Sequence, residues 1–583
     1  MTDHDGLQEL AELARHAPDR IGDRLTGVPL EGQVDLALRL PARERLELLL
    51  HAPRPMRLVR TLPDTELYLS VREVGPTDAL PLVALAAAPQ LVHLVDLESW
   101  RRDEFDAKRC GAWLALLLEA GENVLTRFVR EIDDELLVLA LQKWARVTQI
   151  EHEDTPDRSG HGETEAGTED GFMAPDGYHR FSPVIPEHGP AIRRLLELLA
   201  STSVERYQRL IWSALWEPTA EVEERALHWR QSRLEEHGFV PWDEAMAVYA
   251  PPEGGRARTA VPEPDSATAP RTLLRWVDST GPMISALSRL PDVDRERVLG
   301  EVVSVANRLL VADSADTGNP DCHRGAMRRA ASYLEIGLAV RGAATDVDAS
   351  RALTEIPVLE LFREGYQRAA EVQQQARALV EHGWASAHPG ATELLDVPLR
   401  PALAGLLRPR PLHFDATAQS EEEAFRDFRS LEEIDEAAVA LRMATTLGRV
   451  FVERLGLDIP ALVEQHDHLP RGVPRFSTLF LTSLAWSSAA GELRCEPLTP
   501  EITARFLRTV VSGRTAPPEA PGQALDDFLD RVATEVDLRS EDLQALRAFG
   551  NACVDKLMDE CSALDPGVAV DPRFVSCLLV SPA

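Results

Sequence analysis

The chain has 583 residues, and its 62 lysines and arginines against 95 aspartates and glutamates give a net charge of −33. This length predicts two to four domains, and a hydrophobic fraction of 44% excludes wholesale disorder. The strong negative charge argues against nucleic acid as a partner, because a broad acidic surface repels phosphates.

The patterns that mark export or membrane insertion are missing from the sequence. The first residues are acidic rather than basic, so no secretory signal is predicted. No run of about 18 apolar residues occurs, so no membrane insertion is predicted. The 6 cysteines are scattered without a CxxC pair, which fits a reducing compartment. The sequence therefore predicts a cytoplasmic protein.

Residues 1–150 have the pattern of short amphipathic helices in series. A proline that suits a helix start recurs at positions 41, 63, 76 and 89, and acidic residues follow the first three of these prolines in the next turn. The apolar positions behind them predict a buried set: Leu46, Leu49, Leu67, Val71, Leu82 and Leu85. Each helix is too short to be stable alone, so we expect a solenoid-like helical-repeat array in which neighbours supply the burial.

Two phrases in this array carry a resemblance, "LPARERLELLLHAPRPMRLVRTLPDTELYLSV" and "VGPTDALPLVALA". They resemble the right-handed helical superhelix in the cytoplasmic N domain of one class of bacterial magnesium channels, and a similar superhelix in a flagellar switch protein. The resemblance covers about the first quarter of the chain. It implies that carboxylates here could bind magnesium. The second domain and the pore of those channels have no counterpart in the sequence, so transport is not implied.

A second resemblance concerns the whole chain. The stretches "EVEERALHWRQSRLEEHGF" at 221–239 and "LELFREGYQRAAEV" at 359–372 are similar to a bacterial family of unknown function. This resemblance implies no particular chemistry.

The middle of the chain contains two predicted breaks. Residues 151–171 are acidic and glycine-rich, which predicts a disordered insertion. Residues 172–250 predict a β-hairpin near 172–182, around Pro-Asp-Gly, followed by helices. The Pro/Gly/Ala-rich residues 251–270 predict a linker, and 271–583 a larger helical C-terminal domain. The predicted fold class is therefore all-α, with one small β-hairpin.

Tryptophans crowd the helical unit that follows the hairpin. The candidate partner-binding residues are Trp212, Trp216, Trp229 and Trp242, with Arg225 and Arg230 nearby. Tryptophan and arginine dominate binding hot spots, but burial in the core is the commoner use of tryptophan and is the favoured interpretation. The alternation of arginines and glutamates at 221–235 predicts a solvated helix face, with Glu221 and Arg225 as an i, i+4 pair.

Two further clusters have residue types that bind metals or act in catalysis. His466, Asp467 and His468 are the candidate metal ligands, although a solvated loop explains the same residues. Residues 313–323 hold three aspartates, a cysteine and a histidine, which fits either a helix connector or part of an enzyme site.

No nucleotide-binding, hydrolase or metalloprotease motif occurs in the sequence, so the function is argued from architecture. A helical array predicts a cytoplasmic interaction or scaffold protein with a protein partner that the sequence does not identify. One alternative is a divalent-cation-responsive regulator, and another is an enzyme with a site between helical domains. No cofactor is predicted, although the resemblance leaves magnesium open.

Overall fold

The computed structural model of the protein describes residues 3–581 except 102, 151–170, 237, 253–281, 318, 421–423, 467–471, 512–515, 563 and 565–574. Within these residues the fold is all-α with small antiparallel sheets, which confirms the predicted fold class. The predicted disordered insertion, except Gly171, and the predicted linker beyond residue 252 lie outside the described residues.

The chain divides into two compact units, Met1–Glu364 and Gly365–Ala583. Residues on both sides of the predicted 251–270 linker belong to the first unit. Its helices are α1 Asp3–His16, α2 Ile21–Leu25, α3 Leu30–Arg39, α4 Ala42–His51, α5 Pro55–Thr61, α6 Asp64–Val74, α7 Leu80–Leu85, α8 Ala88–Glu98, α9 Ala107–Ala120, α10 Glu122–Glu131, α11 Asp134–Trp144, α12 Gly189–Thr202, α13 Val204–Trp216, α14 Thr219–Glu236, α15 Trp242–Met246, α16 Pro282–Arg289, α17 Asp292–Ala312, α18 Pro320–Val340 and α19 Asp346–Glu355. Helix α20, Val358–Glu381, contains the point of division.

Proline and acidic residues set the helix starts of the N-terminal array. Pro41 and Pro63 lie directly before α4 and α6, and Pro89 lies in the first turn of α8. The fixed φ of proline suits these positions, and acids such as Glu44 favour the positive end of the helix dipole. Each helix then contacts the helix two further along the chain: α4 with α6, α6 with α8, α5 with α7 and α7 with α9. This alternation produces the predicted stacking in sequence order.

The core of the array differs in detail from the prediction. Leu49, Leu67, Val71 and Leu82 are buried as predicted, together with Leu48. Leu46 and Leu85, also predicted inside, are only half-buried.

A buried arginine occupies the core beside Leu46. Arg45 is fully buried and donates to Ser70 Oγ at 2.7 Å, to the Leu40 carbonyl at 3.2 Å and to Glu73 Oε2 at 3.2 Å. These hydrogen bonds make burial of the Arg45 guanidinium possible, although the apolar spacing of α4 predicts that Arg45 faces solvent.

The described part of the first unit contains five short strands, more than the predicted hairpin. They are β1 Trp100–Arg101, β2 Glu104–Phe105, β3 Ala145–Gln149, β4 Phe172–Met173 and β5 His179–Pro183. Strands β4 and β5 form the predicted hairpin, and β3 adds to its other edge, with Val147 opposite Phe181. Helix α11 ends at Trp144, and the strand β3 follows it directly, where the β-branched Val147 and Thr148 favour a strand.

The second unit is organised around an apolar helix. Its elements are α21 Leu399–Leu406, β6 His413–Phe414, β7 Phe425–Arg426, α22 Leu431–Gly448, α23 Ile459–His466, α24 Phe476–Ala490, α25 Pro500–Phe506, α26 Ala520–Glu535 and α27 Ser540–Cys561. Helix α24 is buried on nearly all sides and contacts α25, α26 and α27. Phe480 of α24 meets Phe528 edge to face with ring centroids 5.0 Å apart.

In the part of the chain that the structure describes, no helix combines the length and the apolar composition needed to cross a bilayer.

Candidate functional site

A cavity of about 780 Å³ lies in the first unit, between the β1–β2 hairpin, α14 and the end of α17. We call it the Arg230 cavity. The hairpin follows α8 directly, and α14 packs against both α8 and α11. Three stretches that are distant in sequence therefore meet at one place on a helical scaffold.

Arg230 is the buried charge of this cavity. Its side chain is 8% exposed, and its Nε donates to the Asp96 carbonyl at 2.9 Å. The guanidinium carbon lies 5.6 Å from the centroid of the Trp100 ring, within cation–π range. Among the described residues its terminal nitrogens have no carboxylate partner within 4.0 Å. Burial lowers the pKa of Arg230 to about 10, so the group remains protonated at neutral pH.

Aromatic and aliphatic side chains make up much of the cavity wall. Trp100, Leu234 and Phe239 are buried, whereas Trp242 is 50% exposed and faces solvent in part. The Trp100 indole Nε1 is also buried, and it has no hydrogen-bond partner among the described residues. The wall therefore offers apolar surface together with one buried donor, the Trp100 Nε1–H, that no described residue accepts from.

The other charged groups of the cavity are paired or exposed. Arg109 bonds Asp316 at 3.3 Å, and this bond raises the pKa of Arg109. Arg101 lies 3.2 Å from Asp106, which is not a lining residue. Asp103 and Glu104 are exposed in the hairpin. Arg230 is thus the one buried cation of the described lining without a salt bridge.

A buried polar network fixes the segment after α17. The Thr317 carbonyl accepts from Tyr68 Oη at 2.8 Å and from His323 Nε2 at 2.9 Å. The same Tyr68 hydroxyl lies 3.1 Å from Glu98 Oε1, so its single proton is shared between the two acceptors. Burial lowers the pKa of His323 to about 4, so its imidazole is neutral at physiological pH and serves as a structural donor. The network holds this wall of the cavity in one conformation.

The predicted enzyme site at 313–323 does not come together as a single centre. Asp313 bonds Arg329 and accepts from Tyr249 Oη, and Asp321 pairs with Arg324 at 2.7 Å. Of the five candidate side chains in this stretch, Asp316 alone lines the cavity. These contacts of Asp313 and Asp321 stabilise the ends of α17 and α18. None of them pairs a nucleophile with a base.

All four candidate tryptophans are exposed, so the favoured core interpretation was wrong. The exposed fractions are 62% for Trp212, 68% for Trp216, 47% for Trp229 and 50% for Trp242. Trp212 and Trp216 stack on each other, with ring centroids 6.3 Å apart and planes inclined by 29°. Trp242 belongs to the Arg230 cavity instead. The four rings therefore occupy three separate settings rather than one cluster.

The arginines of α14 also differ from the solvated face that the sequence predicts. Arg225 is exposed, but it bonds Glu217 rather than Glu221. Arg230 is buried, and Arg233 donates to Asp96 of α8 at 2.7 and 2.8 Å. Asp96, the partner of both Arg230 and Arg233, lies more than a hundred residues away along the chain, so local spacing could not identify it.

The metal candidates fall largely outside the residues that the structure describes. His466 ends α23, but its side chain and the residues Asp467 and His468 lie outside the described residues. Within the described ranges, no group of three or more histidines, cysteines, aspartates and glutamates could hold a metal ion. The magnesium hypothesis remains a prediction from the N-terminal resemblance.

Magnesium binding has a direct test. If the array binds the cation specifically, about 5 mM magnesium raises the melting temperature more than sodium chloride of equal ionic strength, because binding to the native state alone stabilises it. Thermal unfolding followed by circular dichroism measures both. Equal shifts in the two salts would reduce the effect to charge screening of an acidic chain.

The structure thus defines an all-α protein with a charged, partly aromatic cavity and exposed tryptophans. The chain belongs to the family of unknown function designated DUF6178, whose family model matches residues 23–581. This match confirms the predicted membership of a family of unknown function, and it spans the cavity and the tryptophans. No curated protein and no solved structure matches the chain.

Proposed function

We propose that the protein is a cytoplasmic interaction protein that binds a protein partner through the tryptophan pair Trp212 and Trp216 on α13. The observation that carries the proposal is the exposure of two stacked indoles, at 62% and 68%, on a helix whose other face is buried. The partner is a protein with an apolar pocket or groove that receives these rings.

The stability of α13 does not depend on the two indoles. Tyr207, Leu210 and Ile211 make up its buried face, and the helix packs on α11. Val204, Trp212 and Trp216 recur at multiples of four residues on the opposite, exposed face. The core of α13 is therefore complete without the pair, and the exposed rings are free to contact another molecule.

The loop and helix beneath α13 hold it rigidly. Arg206 donates to the carbonyls of Val129 and Ile132 at 2.5 and 2.8 Å and to Asp134 at 2.6 Å. Tyr207 Oη donates to Asp176 at 2.9 Å, next to the β4–β5 hairpin. A rigid helix presents the rings in a fixed geometry, which lowers the entropic cost of binding.

Two adjacent tryptophans are typical of a binding hot spot. A tryptophan contributes large apolar area and loses little side-chain freedom, and hot-spot residues cost about 2 kcal/mol or more each when truncated. Removing both rings is therefore expected to weaken binding at least about 100-fold.

The test compares partners captured in the native host by the wild-type chain and by Trp212→Ala/Trp216→Ala. We expect the double variant to lose partners that the wild type retains, with an unchanged melting temperature, because exposed substitutions alter stability by about 0.5 kcal/mol or less. Trp229→Ala is the matched control, since this ring is also exposed but lies on α14. Identical partners for all three proteins would refute the proposal.

Binding then has to be shown with purified components. The partner lost from the double variant is expressed alone, and its affinity for wild type, double variant and Trp229→Ala is measured by titration calorimetry. The double variant is expected to bind the partner more weakly than the wild type, and the Trp229→Ala control is expected to bind it with wild-type affinity. Equal affinity of the double variant and the control would contradict a role of the pair.

A further inference from the structure

We propose that the Arg230 cavity binds a small organic monocarboxylate with an apolar body, which pairs its carboxylate with the Arg230 guanidinium and packs its body against Trp100, Phe239 and Trp242. This inference is independent of the interaction function, because the tryptophan pair of α13 does not line the cavity.

The first argument is the missing counter-charge of Arg230. Burying a guanidinium without a carboxylate partner costs free energy. The residue that Arg230 contacts, Asp96, has a carboxylate, but that carboxylate is already paired with Arg233. Asp96 offers Arg230 only its carbonyl, because both of its carboxylate oxygens accept from Arg233. The terminal nitrogens of Arg230 are left for a bound anion, and a carboxylate matches their fork geometry.

The second argument concerns which anion fits. A single unpaired cation balances a single negative charge. Asp103, Glu104 and Asp316 also line the cavity, and they disfavour a second negative charge on the ligand. Phosphates and dicarboxylates are therefore poor ligands, whereas a monocarboxylate keeps its one charge at Arg230.

The third argument is the shape and rigidity of the wall. A volume of about 780 Å³ lies in the usual range for small-molecule sites. Trp100 and Phe239 provide buried apolar surface, and the half-exposed Trp242 can cover a ligand from the solvent side. Ser314, at φ 51°, adopts the left-handed conformation where α17 gives way to the lining segment. The bonds of the Thr317 carbonyl keep this segment fixed, so the site is formed before the ligand arrives.

Titration calorimetry on the full chain tests the charge requirement. The probes are 3-phenylpropionate and indole-3-propionate, their uncharged amides, a medium-chain aliphatic carboxylate and inorganic phosphate. We expect at least one carboxylate to bind, and its amide to bind about 10-fold or more weakly, because a charge-assisted hydrogen bond is lost. Binding of no carboxylate, equal binding of acid and amide, or preferred binding of phosphate would overturn the proposal.

Variants locate the binding. Arg230→Met is expected to abolish carboxylate binding, and Arg225→Met on the same helix is the matched control, because Arg225 is exposed and outside the cavity. Since Arg230 also bonds a backbone carbonyl, its loss could disturb folding. Trp242→Ala, which removes an exposed side chain, is therefore the second variant and is expected to weaken binding about 10-fold. Trp229→Ala is its control. Unchanged affinity in Trp242→Ala, or an equal loss in Arg225→Met, would show that the carboxylate binds elsewhere.

Discussion

Gly337→Ala is expected to lower the free energy of unfolding of the first unit by about 3 kcal/mol or more, because two helices meet there backbone to backbone. A Cβ at Gly337 of α18 would lie 1.9 Å from the Leu361 carbonyl oxygen and 2.8 Å from its carbon. Leu361 is fully buried in α20, so the obstructing atoms cannot move aside as a flexible side chain would.

Gly325→Ala on the same helix is the matched control for this prediction. A Cβ at Gly325 meets nothing within 4 Å, and its backbone is not in the left-handed region. Alanine there gains up to about 1 kcal/mol of helix propensity. Urea unfolding followed by circular dichroism measures both variants. The urea midpoint is expected to fall for Gly337→Ala and to rise for Gly325→Ala. A small decrease of the midpoint in both variants would contradict the close approach at Gly337.

The helices of the first unit could be predicted because their signals are local. Helices α9 and α10 are separated by Gly121, and apolar residues recur at helical spacing within both, over 107–120 and 122–131. The starts of α4 and α6 follow from Pro41 and Pro63 in the same way. These signals lie within a turn or two of the boundary, so they do not depend on the rest of the fold.

The details of the core depend on distant partners and were predicted less well. Apolar spacing in α4 favours Leu46 as a buried residue. The structure buries Arg45 instead, because Ser70 and Glu73 of α6 accept hydrogen bonds from its guanidinium group. Strand β3 forms because it pairs with β5, whose residues lie thirty or more positions later in the chain. Periodicity describes one element at a time and carries no information about such partners.

Prediction of the candidate site from the sequence fails for the same reason, because its residues come from distant parts of the chain. The sequence drew attention to Arg230 and Trp242 as partner-binding residues, but it gave no sign that Trp100 and Phe239 lie beside them. The spacing of Trp212 and Trp216 alone does not predict their exposure, since an i, i+4 pair of tryptophans is compatible with either face of a helix. A hint was available in Tyr207, Leu210 and Ile211, which already complete an apolar face of α13.

Arg233→Met is expected to destabilise the first unit by about 3–5 kcal/mol at pH 7, because it removes the cation that hydrogen-bonds both oxygens of a buried carboxylate. Arg233 donates to Asp96 at 2.7 and 2.8 Å and to Asp133 at 2.6 Å. The Asp96 side chain is 1% exposed, and burial raises the pKa of its carboxyl even with Arg233 present. Methionine fills a similar volume, so most of the loss is electrostatic.

The cost of Arg233→Met depends on pH with a definite sign. A carboxyl whose pKa is raised by folding takes up a proton in the folded state at a pH where the unfolded chain is still ionised. Removing Arg233 raises the pKa of Asp96 further. The free energy of unfolding of the variant therefore increases more than that of the wild type as the pH falls. The difference in unfolding free energy between the two proteins should therefore narrow from pH 7 to pH 5, as measured by urea unfolding at each pH.

Two further variants separate charge from packing in this prediction. Arg233→Met/Asp96→Asn has no buried charge at position 96, so it should be more stable than Arg233→Met at pH 7 and should lose most of the pH dependence. Arg225→Met, which removes an exposed partner of Glu217, should alter stability by about 0.5 kcal/mol or less at both pH values. If Arg233→Met costs the same at pH 7 and pH 5, the loss comes from packing around Arg233, and the stranded charge of Asp96 is not its cause.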